Sequence, residues 1–224
     1  MTLAQEVLDG VMLGDGGIFF GKRSVNAHFH MSLSEGDKHI DWLKAVKENL
    51  VSLSIPVNPM YPKLGIGCSK GRVYTYAVLD SQVSELLTRQ RLIWYPRGTK
   101  VVPLGLHLTP VVVANWFMGD GSSREISPGY IEVRFATQSF NEGEVERLER
   151  LLSELGVHGS YHYMDPSGPV IVISTIENVS ALLDLIGPLI LPSYEYKLKR
   201  PRRAAFRVIK DKLGRVRVNG GRNR

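Results

Sequence analysis

Residues 113–121 read V-A-N-W-F-M-G-D-G, and residues 8–16 read L-D-G-V-M-L-G-D-G. Each is a short apolar run of helical character ending in the same Gly-Asp-Gly, so each sets one carboxylate, Asp120 or Asp15, at a helix C-terminus. Two such carboxylates in one chain invite a shared metal. The runs also carry small residues at close spacing, Gly10 and Gly14 in the first, Ala114 and Gly119 in the second. Small residues let helix backbones approach closely, and side-by-side packing of the two helices would bring Asp15 and Asp120 together. A carboxylate is disfavoured at the negative end of a helix, so two of them there cost stability that a bound cation would offset.

The flanks of the two runs repeat as well. After the first run, Val25, Ala27, Phe29, Met31 and Leu33 alternate with Asn26, His28, His30 and Ser32, which predicts a hairpin over residues 17–33 with one apolar and one polar face. Ile40, Leu43, Val46, Leu50 and Leu53 have helical spacing, with charges opposite. A second hairpin is expected over 57–78 and a short helix over 80–87. The second half repeats this order. A hairpin over 122–138 puts Ile131, Val133 and Phe135 on the core face, with Glu132 and Arg134 opposite; a helix follows at 142–155, then strands near 158–164 and 170–174, then a helix over 176–186. The carboxylates lie 105 residues apart, Ser34-Glu35-Gly36 and Asn141-Glu142-Gly143 lie 107 apart, and two Val-Ser-x-Leu-Leu runs from residues 83 and 179 lie 96 apart. Near-constant offsets mean an internal duplication.

The expected class is α+β: two pseudo-twofold-related α-β-β-α-β-β-α modules at 1–88 and 109–198, joined by a basic linker at 89–108 and followed by a basic tail at 199–224. Four antiparallel strands per module, backed by helices, would join into one saddle. Such a curved sheet can enter a DNA major groove and read base edges with alternate side chains.

Charge points the same way. The net charge is +6, yet residues 196–224 carry 12 Lys and Arg against one acid, so the rest of the chain is net negative. Within the body, Lys22, Arg23, Lys63, Lys70, Arg72, Arg89, Arg91, Arg97 and Lys100 fall in predicted hairpins or loops, while Asp37, Asp41, Glu48, Glu142, Glu144, Glu146, Glu149 and Glu154 fall on predicted helices. A basic sheet-and-loop face backed by acidic helices suits phosphate binding. The polar strand faces add Asn26, His28, His30, Ser32, Ser122, Arg124, Glu132 and Arg134 as candidate base or phosphate contacts. His28 and His30 have no third ligand nearby, so base or phosphate contact is favoured over zinc. The single Cys68 leaves no internal disulfide and no cysteine-rich zinc site. No apolar run approaches the ~20 residues needed to span a bilayer, and the chain reads as soluble and intracellular. Trp94, Tyr95, Trp116 and Phe117 are expected in the core, while the Tyr161-His162-Tyr163 run can serve either core or groove.

On residues 8–16 and 113–121, the chain resembles the LAGLIDADG homing endonucleases in their single-chain form with two motif copies. L-I-W-Y-P-R-G-T-K-V-V-P at 92–103, F-A-T-Q-S-F-N-E-G-E-V at 135–145 and L-I-L-P-S-Y-E-Y-K-L at 189–198 extend the likeness over residues 3 to 200. Two positions depart from the family pattern: Asn115, where a small interface residue is usual, and Gly119, where a second acid is common. The resemblance places the metal at Asp15 and Asp120, beside Gly14 and Gly119. It gives Lys100 and Lys197 the role of basic residues flanking the metal, with backbone-phosphate contact as the plainer alternative, and it matches Gln138 to a polar residue of a water network. It implies Mg²⁺, with Mn²⁺ as a substitute, and a monomer that cuts both strands of a long, non-palindromic DNA target, leaving short 3′ overhangs. Hard Mg²⁺ is held by one or two carboxylates plus phosphate oxygens, which Asp15 and Asp120 suit. Two rivals stand beside this reading: an RNA maturase acting on its own group I intron, which the basic tail would serve, and a cleavage-inactive DNA-binding regulator of the same fold. An intact intein is not expected, since the chain starts with Met and lacks splice-junction residues.

Overall fold

The computed structural model describes residues 1–69, 71–166, 168–201, 208–210 and 216–218. Lys70 and most of the basic tail lie outside these described residues. The first module runs α1 (Leu3–Leu13), β1 (Gly17–Phe20), β2 (Ala27–Ser34), α2 (Gly36–Ser52), β3 (Lys63–Ser69), β4 (Arg72–Asp80) and α3 (Glu85–Trp94). The second repeats it with α4 (Pro110–Asp120), β5 (Gly121–Ser127), β6 (Tyr130–Phe135), α5 (Glu142–Glu154), β7 (Ser160–Asp165), β8 (Gly168–Ile173) and α6 (Ile176–Ile186). Each module forms a four-stranded antiparallel sheet, in the orders β1-β2-β4-β3 and β5-β6-β8-β7. Identical strand order in both halves is the duplication seen in three dimensions. Two 3-10 turns, Gly187–Leu189 and Pro192–Lys197, close the second module, and a short hairpin pairs β9 (Val208–Lys210) with β10 (Val216–Val218).

Local chemistry explains where the helices start. The Thr2 and Thr109 hydroxyls accept from the backbone N–H of Gln5 and Val112, and Pro110 occupies the first turn of α4. Asn141 and Glu144 form a reciprocal capping box on α5. The equivalent start of α2 has no side-chain cap: Glu35 sits at φ 52, and Gly36 lies so close beneath Tyr76 and Ala77 of β4 that a side chain there has no room.

The centre of the molecule is α1 against α4. Seven consecutive residues of α4, Val112 to Met118, are buried, as are seven of α1, Val7 to Leu13. A helix buried all round belongs in a core, and this pair carries both modules on its flanks. Asn115, the departure at the interface, is tolerated because it faces Gly10 and satisfies its amide locally. Its Nδ2 donates to the Val111 carbonyl at 3.0 Å, and its Oδ1 accepts from Trp42 Nε1 at 3.0 Å. Trp94, Trp116 and Phe117 are buried as expected, and Trp116 stacks on Phe135 at 4.2 Å.

One element differs from the sequence expectation. Residues 80–87 do not form the third helix; it spans Glu85–Trp94 and so takes in Arg89 and Arg91, expected in a loop, while Val25, expected on the apolar face of the first hairpin, precedes β2 and is exposed. Asp80 ends β4 opposite His30, and Ser84 still bridges to Ala27 of β2, so the chain stays extended through the sheet edge before it coils. Leu87 and Trp94, seven residues apart, then give the helix its buried stripe.

Candidate active site and nucleic-acid surface

Asp15 follows the C-cap Gly14 of α1, and Asp120 is the last residue of α4. A Cβ built on Gly119 would stand 3.1 Å from Asp15 Oδ2, and one built on Gly14 would stand 3.8 Å from Asp120 Cγ. Each acid therefore leans over the last glycine of the opposite helix, and the two carboxylates are neighbours.

Both helix ends are sealed by a lysine from the segment that follows their own module. Lys100 Nζ donates to the carbonyl oxygens of Gly14 and Gly16, both at 2.9 Å. Lys197 Nζ donates to those of Met118 at 2.7 Å and Gly119 at 3.0 Å, with a longer bond to that of Phe117 at 3.4 Å. A cation is favoured at this negative end of a helix. Burial pulls both ammoniums down to about 8, against the upward pull of the two aspartates. The acids move the other way: burial lifts Asp120 to about 6, Asp15 adds to the rise, and the lysines oppose it. Asp15 is raised too, chiefly by the protein around it and against Lys197 and Lys100, although it keeps an exposed face.

A hard divalent cation fits these residues. The donors are oxygens, both carboxylates have raised pKa values that a positive charge would bring down, and the Gly14 and Gly119 carbonyls keep a second lone pair beside the lysine bond. A cavity of about 290 Å³ opens beside Asp15, lined also by Ser32, His39, Tyr194, Tyr196 and Lys197. A larger one of about 860 Å³ lies by the first turns of α1, at Gln5 and Asp9, away from the paired acids. Glu142, Glu146 and His162 also bring metal-type atoms within 4.8 Å of one another, on α5 and β7, elements that carry neither Asp15 nor Asp120. His162 is engaged there by Glu149 at 2.9 Å and Glu142 at 3.4 Å, which settles it on the helix side.

The polar strand faces flank the acids. In the first module, Lys22 and Arg23 are exposed in the β1–β2 turn, and Ser32 is exposed on β2. Asn26 is tied back by the Thr88 hydroxyl at 3.1 Å, and His30 Nδ1 meets Asp80 Oδ1 at 2.6 Å. His28 and His30 both stand against the Phe19 ring, with centroids 6.3 and 6.1 Å away. Lys63 lies over the Tyr61 ring, while Arg72 and Arg97 are exposed. In the second module, Ser122 and Arg124 on β5 are exposed, and Glu132 between Arg124 and Arg134 is buried. Gln138 is half-buried in the turn after β6. Sequence reasoning missed His39 and Tyr194 beside Asp15, and Asp80 and Thr88 behind the β2 face; each arrives from a distant element, and no local pattern announces it.

A protein-family model described as the LAGLIDADG DNA endonuclease family matches residues 5–180. An uncharacterized protein, MJ1098, of Methanocaldococcus jannaschii is 25% identical over 199 residues, covering 86% of this chain and 72% of that protein. Protein RecA of Mycolicibacterium flavescens is 25% identical over 206 residues, covering 86% of this chain but only 45% of that protein. Among solved structures, the homing endonuclease I-WcaI, bound to its DNA recognition sequence, superposes with a TM-score of 0.76 at 20% identity, over 89% of this chain and 87% of its own. The N-terminal LAGLIDADG domain of DUF199/WhiA superposes with a TM-score of 0.51 at 14% identity, over 83% and 82%. Two acid-tipped helices packed along a pseudo-twofold, two sheets of one strand order, and a family match over most of the length agree: this chain belongs to the LAGLIDADG DNA endonuclease family.

Proposed function

We propose that this protein is a site-specific, divalent-metal-dependent endonuclease that cuts both strands of a long, non-palindromic DNA duplex as a monomer. The observation that carries this reading is the reciprocal seating of Asp15 over Gly119 and Asp120 over Gly14, between two polar strand faces. Carboxylates raised by burial, and in Asp120 also by the neighbouring Asp15, are poor stabilisers of a fold and good ligands for a cation. Asp15 and Asp120 would hold Mg²⁺, or Mn²⁺ in its place, and the bound metal would supply activation of a water and stabilisation of the leaving oxygen. Lys100 and Lys197 bring two ammoniums to the same place: Lys100, bonded to two carbonyls, keeps one N–H for a phosphate oxygen, and Lys197 can offer one by releasing its long bond to the Phe117 carbonyl. The polar residues of β2, β5 and β6 and of the β1–β2 turn orient the duplex, each good base contact contributing ~1–3 kcal/mol of discrimination.

The fold alone does not choose between cutting and mere binding, because the DUF199/WhiA domain shares it. Retention of both acids favours cutting. A maturase acting on intron RNA is the alternative reading, which the basic tail would also serve. The deciding assay uses a supercoiled plasmid carrying a target selected from a randomised library, incubated with Mg²⁺ and with EDTA. The wild type linearises it only with metal. Asp15→Asn and Asp120→Asn each lose most cutting of both strands while still binding the duplex, and undiminished linearisation by the double variant would sink the mechanism.

A further inference from the structure

The outward face of β5 and β6 holds a charged cluster with an acid as its hub. Glu132 alternates with the core residues Ile131 and Val133, so it points away from the core, yet its side chain is only 9% exposed. Its Oε1 accepts from Arg124 Nε at 2.8 Å and also from Arg134 Nε. Burial raises the Glu132 pKa, and the bonds from Arg134 and Arg124 outweigh it, so the group is held below the usual carboxylate range. A carboxylate so covered and so engaged is poorly placed to accept from a cytosine amino group, which is how an acid reads a base directly.

Arg124 is different. Its side chain is 55% exposed, and it is held only by its inner nitrogen; among the described residues no protein acceptor takes Nη1 or Nη2. Arginine reads guanine by aiming two parallel donors at O6 and N7. A guanidinium anchored at Nε presents that fork in one orientation, and less freedom is lost when the base arrives. The first module has nothing of the kind in the equivalent place. There Phe19 pairs with His28 as Arg124 pairs with Glu132, and His30 stands where Arg134 stands. The three rings form an aromatic cluster, and His30 turns to Asp80.

We propose that Glu132 is a positioning residue that fixes Arg124 as a guanine reader. The target then carries a guanine opposite Arg124 in the half-site read by the second module, with no matching guanine requirement at the pseudo-symmetric pair opposite Phe19. This rests on the site-specific reading above. It reassigns Glu132 from a base contact to a group that acts through its neighbour, and it makes the two half-sites unlike at symmetry-related positions.

The test is selection from a randomised duplex DNA library, by binding and by cleavage, with the wild type, Arg124→Ala, Glu132→Ala and Glu132→Gln. The wild type should select guanine at one position with about fivefold preference or more, and Arg124→Ala should lose that preference alone. Glu132→Ala should lose it at the same position, with Glu132→Gln intermediate because one neutral acceptor remains for two guanidinium groups. Both Glu132 variants should bind random-sequence duplex more tightly than the wild type, since a negative charge has left a phosphate-facing surface. A merely structural role would weaken target and random DNA together. Full guanine preference in a folded Glu132 variant, or a wild-type consensus with no guanine dependent on Arg124, overturns the proposal while leaving the endonuclease reading intact. If the wild type enriches no sequence at all, the site-specific reading fails and this proposal falls with it.

Discussion

Asn115 is built over Gly10. A Cβ added at Gly10 would come within 2.6 Å of both the Asn115 Cβ and the Val112 carbonyl oxygen, so the helix pair closes only because residue 10 has no side chain. Gly10→Ala should destabilise the protein by about 2–3 kcal/mol through overpacking of a rigid interface. Asn115→Ala should cost about 1–3 kcal/mol by leaving Trp42 Nε1 buried without an acceptor. Denaturant midpoints measure both, and a Gly10→Ala loss below 1 kcal/mol would mean that the two helices separate freely.

That relationship also marks the limit of what the sequence carried. The acid-tipped helices, the strand alternations and the order of elements were legible because helical and extended periodicities are local, and α6 spans the expected residues Ile176–Ile186. The third helix was misplaced because the pairing of Asp80 with His30, fifty residues away, keeps the chain extended where local pattern favours a coil. Asn115 stood out as an exception, but its remedy lay in Gly10 and Trp42, on two other helices. Within the site, the acids and lysines were legible by their repetition. His39, whose buried Nδ1 has no hydrogen-bond partner among the described residues and whose ring lies 4.6 Å from Tyr194, has no repeated counterpart to draw attention to it.

Asp9 gives a stability prediction with a definite sign. It is nearly buried in α1, bonded by Gln5 at 2.9 Å, and burial raises its pKa to about 6. The folded state therefore keeps a proton that the unfolded chain releases, and its contribution is lost as pH rises from about 4 to about 6. Asp9→Asn should match the wild type near pH 4 and exceed it by on the order of 2–3 kcal/mol at pH 7. Melting in EDTA across that range measures the difference; a constant gap at all pH values would refute it.

Lys100 should set the acid limit of metal binding. It pulls the Asp120 pKa down from where burial and Asp15 would otherwise put it. Lys100→Met should move the pH at which Mn²⁺ binding is half lost upward by roughly one unit. Titration of the protein without DNA, followed by the paramagnetic signal of free Mn²⁺, would read the shift. An unmoved profile would show that the ammonium serves the helix end alone.

The tail from residue 199 should add affinity without discrimination, because its charge is dense and its apolar residues are few, chiefly Phe206, Val208, Ile209 and Leu213. Truncation after Leu198 should weaken binding equally for target and unrelated DNA and flatten the dependence on salt. An unchanged salt slope would turn attention to RNA as the ligand of the tail.

The lysine seals have a consequence for how the molecule is made. Asp15 and its helix are made well before the ammonium that closes that helix end, which comes from residue 100, and the one that closes the opposite end comes from residue 197. The acidic centre is therefore completed only once residue 197 has been made. A product that stops short of residue 197 carries the second acid on an open helix end, so the paired centre needs both modules and the segment that follows the second.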